Sequence, residues 1–432
     1  MNGTIELTRR TVTRDVPFLR PAPKLRGRLH RTVSAAETCR RVAPVAARIG
    51  VTRVADITGL DRLGIPTYSC VRPAAIAHSV AGVSVTCGKG TSREQARAGA
   101  LMEAIELYTA EPGTRPLRHE AFEALSRRER ALDPRDLVLP NWSPYRPDRP
   151  IYWVEARELR SGETWWVPAN AVLHPFVPRE GEAMILRGNT AGLASGNLIE
   201  EATFHALAEV IEHDAWSLCV ARKGQGKGDM YPGLELAAVD PEVAWLFEQF
   251  QRAGISLYVR DITSDIGVPT YYAAAVELAG VQYLVHGGSG THVDPSIALI
   301  RALTETAQSR AADIQGSRED LAYLRGNGRT DRLALERHRP WDISEPAVKV
   351  AFPPPPPVDH DDIRDDIEWM AGRLAERGAD RVFVVDLTLP DVGVPVVRVI
   401  VPGLEHVAVD EYRVGARVLR ALEEAPPSEA RR

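Results

Sequence analysis

The sequence predicts an α+β fold in which mixed sheets are packed with helices and internal pseudo-repeats present glutamate-bearing helices to one site. Three observations predict it. Short β-patterned runs alternate with longer helical runs along the chain. One helical phrase occurs three times: Ala100-Leu-Met-Glu103-Ala-Ile-Glu106, Ala206-Leu-Ala-Glu209-Val-Ile-Glu212 and Ala302-Leu-Thr-Glu305-Thr-Ala-Gln308. A glycine-rich segment precedes each copy, and a period of about one hundred residues is too long for a solenoid.

Residues 1–34 read as irregular and basic, with Arg20, Lys24, Arg28 and Arg31 among the cations, and are expected to be a solvated surface arm. A first helix follows over 36–49, so 1–50 forms an N-terminal segment ahead of a domain spanning 51–432. Strands are expected at 51–57, 64–69 and 76–85, before the first repeat helix at 92–110. Strands at 151–159 and 164–167 precede the second repeat helix at 200–220. Strands at 256–262, 271–278 and 283–286 precede the third, at 295–314, where Asp294-Pro295 reads as an N-cap with proline at N1. The five prolines 353–357 must be extended and act as a linker within the domain. An acidic helix over 361–377, strands at 381–387 and 394–401 and a last helix at 409–424 follow. The acids Asp359, Asp361, Asp362, Asp365 and Asp366 read as a solvated helix start.

With 432 residues, 44% of them hydrophobic, the chain has enough apolar sequence for one large or two medium domains. A net charge of −5 gives no reason to expect nucleic acid as the main partner. No apolar run reaches the roughly 18 residues of a membrane span, and no signal-peptide pattern is expected at the N-terminus. The four cysteines lack metal or CxxC spacing, which fits a reducing cytoplasm.

A three-residue step puts both polar groups of each repeat on one helix face. Their neighbours Leu101, Ile105, Leu207, Val210, Ile211 and Leu303 are apolar, so these acids are expected to be buried and to need cations. Glu103, Glu106, Glu201, Glu209, Glu212 and Glu305 are six carboxylates, and oxygen-only ligands select Mg²⁺ over zinc. Lys89, in Gly88-Lys89-Gly90, and Arg301 suit phosphate. Two readings of the pattern stand: a Mg²⁺–nucleotide site or a structural polar core.

Ordered motifs extend this pattern: Gly88-Lys89-Gly90, Glu103-x-x-Glu106, Gly192 to Asn197, Asn197-x3-Glu201, Glu209 to Asp214, His292-x-Asp294-Pro295, Arg301 to Arg310, and Pro402-Gly403-Leu404-Glu405. In these the chain resembles the YcaO family of ATP-dependent peptide-backbone-modifying enzymes, over about 51–405. The stretch Thr52 to Pro66 is similar to the branch that works with TfuA-type partners. The resemblance implies a YcaO-type fold with ATP and Mg²⁺ as cofactors, a peptide or protein substrate, a TfuA-type partner and a homodimer. It implies catalytic roles for Glu209, Glu212 and Glu305. Nucleotide contacts fall to Lys89, Gly90, Asn197, Glu201, His213, Arg301, Gln308 and Arg310, and metal contacts to the six glutamates. The implied chemistry is phosphorylation of a backbone amide oxygen, leading first to a thioamide and second to an azoline. The chain departs from the family pattern at Gly99, usually serine, and at His213, usually arginine. Those departures favour, as a non-enzymatic alternative, a degenerate scaffold binding a leader peptide and a partner. The C-terminus lacks a PxPxP ending, which shifts weight from azoline to thioamide.

Overall fold

Each glutamate helix lies on or beside a glycine-bearing strand, and that contact organises the molecule. The computed structural model describes the chain apart from residues 1–17, 26–29, 74–82, 114, 180–181, 225–229, 237–239, 280–281, 318–345, 347, 355 and 424–432. In chain order come α1 (Ala35–Arg48), β1 (Arg53–Asp56), β2 (Thr67–Val71), β3 (Val85–Lys89) and α2 (Arg93–Ala110). Next are β4 (Arg118–Ala121), β5 (Pro150–Glu158), β6 (Thr164–Pro168), β7 (Leu193–Ser195) and α3 (Ile199–Gly224). They are followed by β8 (Gly233–Leu236), α4 (Pro241–Arg252), β9 (Ser256–Asp261), β10 (Thr270–Ala279), β11 (Gln282–Thr291) and α5 (Pro295–Gln315). Last are β12 (Lys349–Phe352), α6 (Ile363–Glu376), β13 (Phe383–Asp386), β14 (Val396–Ile400) and α7 (Ala416–Glu423).

The strands form three sheets, ordered β1-β2-β3, β11-β10-β9-β8-β12 and β4-β5-β13-β14-β7, with β6 paired to β5. Only β8–β12 is parallel among the described pairs. Helix α2 packs on β3, α5 on β11, and α3 on β14 and β7. Glycine makes the first two contacts possible. A Cβ on Gly88 of β3 would lie 2.0 Å from the Ala96 carbonyl oxygen of α2. On β11, a Cβ at Gly290 would lie 2.2 Å from the Ala298 carbonyl oxygen of α5. The glycines admit helix backbone against strand backbone.

Local signals explain the helix starts. Ser92 and Gln95 make a capping box at α2. The Asp294 carboxylate accepts from Ser296 N at 2.7 Å and Ile297 N at 3.2 Å, with Pro295 at the first turn of α5. Helix α4, absent from the sequence expectations, has the same signature in Asp240-Pro241 and buries Val243, Leu246 and Phe250.

Three cores result. One lies between α1, α2 and the face of the largest sheet carrying Trp153. A second fills the space between α3, α6 and the opposite face, with Phe204, Ile367 and Val397. The third joins α4 and α5 to β9 and β10 through Phe250, Tyr271 and Leu303. Strands β13 and β14, beyond the proline run, pair with β5 and β7 from before it. The expected strand at 76–85 falls largely outside the described residues, and the last helix begins at Ala416 because 409–412 form turns. No described helix is long and apolar enough to cross a membrane.

Two surface expectations are corrected. The basic arm is not simply solvated: Arg20 N donates to Glu200 Oε1 at 2.7 Å, and Ala22 N donates to Asp362 at 2.9 Å. Nor is the acidic helix start wholly solvated. Asp366 has no exposure and pairs with Lys24 at 2.7 Å, His30 at 2.5 Å and His360 at 3.0 Å. The contacts of Arg20, Ala22, Lys24 and His30 reach across the chain, so no local pattern announces them.

Candidate active site

The three repeat helices are tied together by their own polar side chains. Ser195 of β7 donates to Glu106 of α2 from its backbone at 2.8 Å and from Oγ at 3.1 Å. Cys87 N of β3 donates to Glu103 at 3.1 Å. Gln308 of α5 donates to the Cys87 carbonyl at 2.9 Å. Ser289 of β11 donates to Glu212 of α3 at 2.8 Å, and Lys89 pairs with Glu305.

The carboxylates strain one another electrostatically. Burial, with Glu209 and Glu103 nearby, pushes Glu106 well above the usual carboxylate range. Glu212 is pushed up by burial and by Glu305, and its Oε2 is buried without a partner. Burial also acts on Glu305, but Lys89, the Ser289 N–H and Arg301 hold it below the ordinary value. His213 stands 3.6 Å from Glu209. Burial lowers its basicity, yet Glu209, Glu212 and Glu305 together raise it above an ordinary histidine. Glu209, Glu305 and Lys89 keep side-chain exposures of 28%, 33% and 20%, which marks the open side of the cluster.

Not every expected residue joins this cluster. Glu201, expected at the metal, is engaged by donors of its own. Its two oxygens accept from Thr32 N and Oγ1, both at 2.6 Å, and from Asn197 N at 2.8 Å and Nδ2 at 2.9 Å. Burial would raise it, but Arg31 and these donors hold it down, so it stays ionised while anchoring the N-terminal segment. Arg310 departs from the nucleotide expectation, because Asp61 and Glu277 hold its guanidinium, each at 2.7 Å. Arg301 has a buried Nε with no partner. Gly90 packs at the start of α2, where a Cβ would lie 2.5 Å from Gln95 Cβ. Gly99 has a steric reason: a Cβ there would sit 3.3 Å from Gly88 Cα, at the helix–strand contact.

The sequence reading missed Ser195, Ser289 and Arg31. Desolvation pulls Arg31 down to about 10 against the attraction of Glu201. It also missed Arg398, whose only signal is a lone charge within the strand Val394–Val401.

Among the described residues no three His, Cys, Asp or Glu side chains are gathered tightly enough to hold a metal ion alone. The residues nevertheless fit Mg²⁺ with a phosphate chain. Glu106 and Glu212 are crowded acids, Glu212 keeps a bare oxygen, and the cations Lys89 and Arg301 lie beside them with His213. Mg²⁺ commonly takes one or two carboxylates and completes its shell with phosphate oxygens and water.

The model for YcaO proteins, described as ATP- and Mg²⁺-binding cyclodehydratases, matches residues 87–405. The chain belongs to the YcaO family. An uncharacterized protein from Methanothermobacter thermautotrophicus is 44% identical over 397 residues, covering 90% of this chain and 99% of its own. A Rhizobium leguminosarum bv. trifolii protein, named for its position in the tfuA 3' region, is 33% identical and covers 91% of this chain and 93% of its own. The structure of YcaO from Methanopyrus kandleri, bound with AMPPCP and Mg²⁺, has a TM-score of 0.71 and 29% identity. That match covers 92% of this chain and 97% of the other. A heterocyclase in complex with substrate and cofactor superposes with a TM-score of 0.76 at 24% identity, covering 95% of this chain and 58% of the other, and supports the fold alone. The mixed α+β architecture and the ATP and Mg²⁺ expected from the sequence agree with this membership.

Proposed function

We propose that this YcaO protein uses ATP and Mg²⁺ to phosphorylate the oxygen of a peptide backbone amide, and that its product is a thioamide. The observation that carries the ATP-dependent chemistry is the set of acids and cations linking α2, α3 and α5, whose crowded carboxylates suit a divalent cation. The tfuA-region relative supports the thioamide outcome and a TfuA-type partner. A homodimer working in the cytoplasm completes the reading.

The reaction balances without an oxidant or reductant. Hydrosulfide adds to the amide carbon and forms a C–S bond. The resulting oxyanion takes the terminal phosphoryl group of ATP, leaving ADP. The C–O bond then breaks, the S–H proton leaves with hydrogen phosphate, and a C=S bond remains. Mg²⁺, when bound, neutralises charge on the transferring phosphoryl group. Lys89 and Arg301 bring positive charge to the phosphates, and His213 stands beside Glu209 as a further donor. Glu106 and Glu212, with raised proton affinity, would exchange protons for the metal. Glu209 and Glu305, on the open side, face the reacting groups.

Azoline formation is the second reading, favoured by the family's description as cyclodehydratases. It uses a Cys, Ser or Thr side chain of the peptide in place of hydrosulfide. A non-catalytic scaffold is less favoured, because a Cβ at Gly99 would crowd Gly88 Cα and the glutamates around His213 raise its proton affinity. The test is Glu209→Gln and Glu305→Gln in the full chain, assayed with substrate peptide, partner protein and ATP. Both variants should lose ATP-dependent phosphate release by at least about a hundredfold while keeping the far-UV CD of the parent. Retained turnover removes the metal role, and no turnover in the parent leaves the scaffold. A product mass gain of sulfur minus oxygen identifies the thioamide; loss of water identifies the azoline.

A further inference from the structure

Strand β14 carries one charged residue, Arg398, among four valines and isoleucines, all buried. Arg398 is only 5% exposed. Its Nη2 donates to Asn189 Oδ1 at 3.1 Å, while its buried Nε and Nη1 have no acceptor. Together with Asn189, Ala191, Val210, His406 and Arg413 it lines a cavity of about 30 Å³. Glu209 and Glu106 are near enough to act on the charge of Arg398, so the cavity adjoins the carboxylate cluster.

Arg413 is fixed in place. Its Nε donates to the Val138 carbonyl at 3.0 Å and its Nη2 to the Leu137 carbonyl at 2.7 Å. Desolvation pulls Arg398 and Arg413 down to about 10, which leaves both charged at neutral pH. Burial, with Arg413 and His213 nearby, keeps His406 neutral, and its Nδ1 is buried without a partner. The acids acting on this group are Glu209 and Glu106 toward Arg398, and Asp410 and Glu405 toward Arg413. No described carboxylate lies within ion-pair distance of either guanidinium.

Size then selects the ligand. About 30 Å³ has room for one or two water-sized atoms, which suits a monatomic or diatomic anion. We propose that Arg398, Arg413 and His406 form a seat for a small univalent anion, and that hydrosulfide occupies it beside the ATP site. Two guanidiniums favour the anion over neutral hydrogen sulfide, and they hold a nucleophile next to the carboxylates that organise the phosphates. This assignment of hydrosulfide rests on the thioamide reading; the anion seat does not.

Bromide is the probe, because it is a monatomic anion with an anomalous signal. Crystals of the full chain soaked in bromide should give a peak within hydrogen-bonding distance of Arg398 Nε or Nη1, and added sodium sulfide should erase it. No peak at Arg398 overturns the seat. A peak that sulfide leaves at full height marks binding at crystal concentration only and overturns the hydrosulfide assignment. In thioamidation assays, Arg398→Lys should raise the KM for sulfide at least about tenfold, with the KM for ATP within about twofold of the parent. Ala191→Val, which narrows the cavity without changing charge, should weaken sulfide in the same direction and abolish the bromide peak. Thioamide formation with an unchanged sulfide KM in both folded variants overturns the seat and leaves the thioamide reading intact. A sulfide-sensitive bromide peak in a protein that forms no thioamide leaves the seat standing and removes that reading.

Discussion

At the scale of single residues, charge is placed in this chain where only a distant partner makes it tolerable. Asp366 is the clearest case. Burial alone would raise its pKa, but His30 and Lys24 outweigh burial and hold it below the ordinary value of 3.8. A carboxyl with a depressed folded pKa contributes stability that is complete above its unfolded value and is lost as pH falls through the folded one. Asp366→Asn should therefore cost about 3 kcal/mol at neutral pH, since it leaves Lys24 without its anion and His30 without its hydrogen-bond partner. Urea titrations of parent and variant from pH 7 downward should show the gap closing below about pH 3.8. A gap that stays constant into that acid range would rule out an ionic origin. The partners Lys24 and Asp366 are separated by most of the chain, which is why sequence patterning assigned both to solvent.

At the scale of elements, close approach of helix to strand decides where each glutamate points. Gly88 touches backbone of α2 from below, and Gly290 does the same under α5. Gly88→Ala should force these layers apart and cost at least about 3 kcal/mol, because the obstacle is a backbone carbonyl that no rotamer change removes. Gly378 is the control. It has φ +80° and nothing within 4 Å of a built Cβ, so Gly378→Ala should cost only about 1–2 kcal/mol of backbone strain. Chemical denaturation of both variants measures the difference, and equal losses would show that helix–strand contact is not limiting at Gly88. The glycines were legible in sequence as loops open to a ligand; their packing role was not, because it depends on which helix lies over which strand.

At the scale of the whole molecule, three sheets each present one polar helix face, and the faces are bound to one another by Ser195, Ser289, Gln308 and Lys89. The acids crowded there make the ligand a partner in stability. Mg²⁺ and a non-hydrolysable ATP analogue together should stabilise the full chain by about 2.7 kcal/mol at a hundredfold excess over Kd. Either alone should do much less, and Glu212→Gln should blunt the joint effect. Thermal unfolding checks this, and an equal Tm shift from the nucleotide without Mg²⁺ would sink the shared site.

The sequence by itself determined the family, the α+β class, the three repeat helices and the acids on their faces. Those are local facts: a period of 3.6, a cap and a motif are all written within a few neighbouring residues. Tertiary structure alone decided which of those acids belong to one cluster. It gave Glu201 the donors of Thr32 and Asn197, and tied Arg310 to Asp61 and Glu277. It also brought Arg398 from a valine-rich strand to the edge of the site. Electrostatic role depends on distance and burial, and neither quantity exists until strands far apart in sequence are paired.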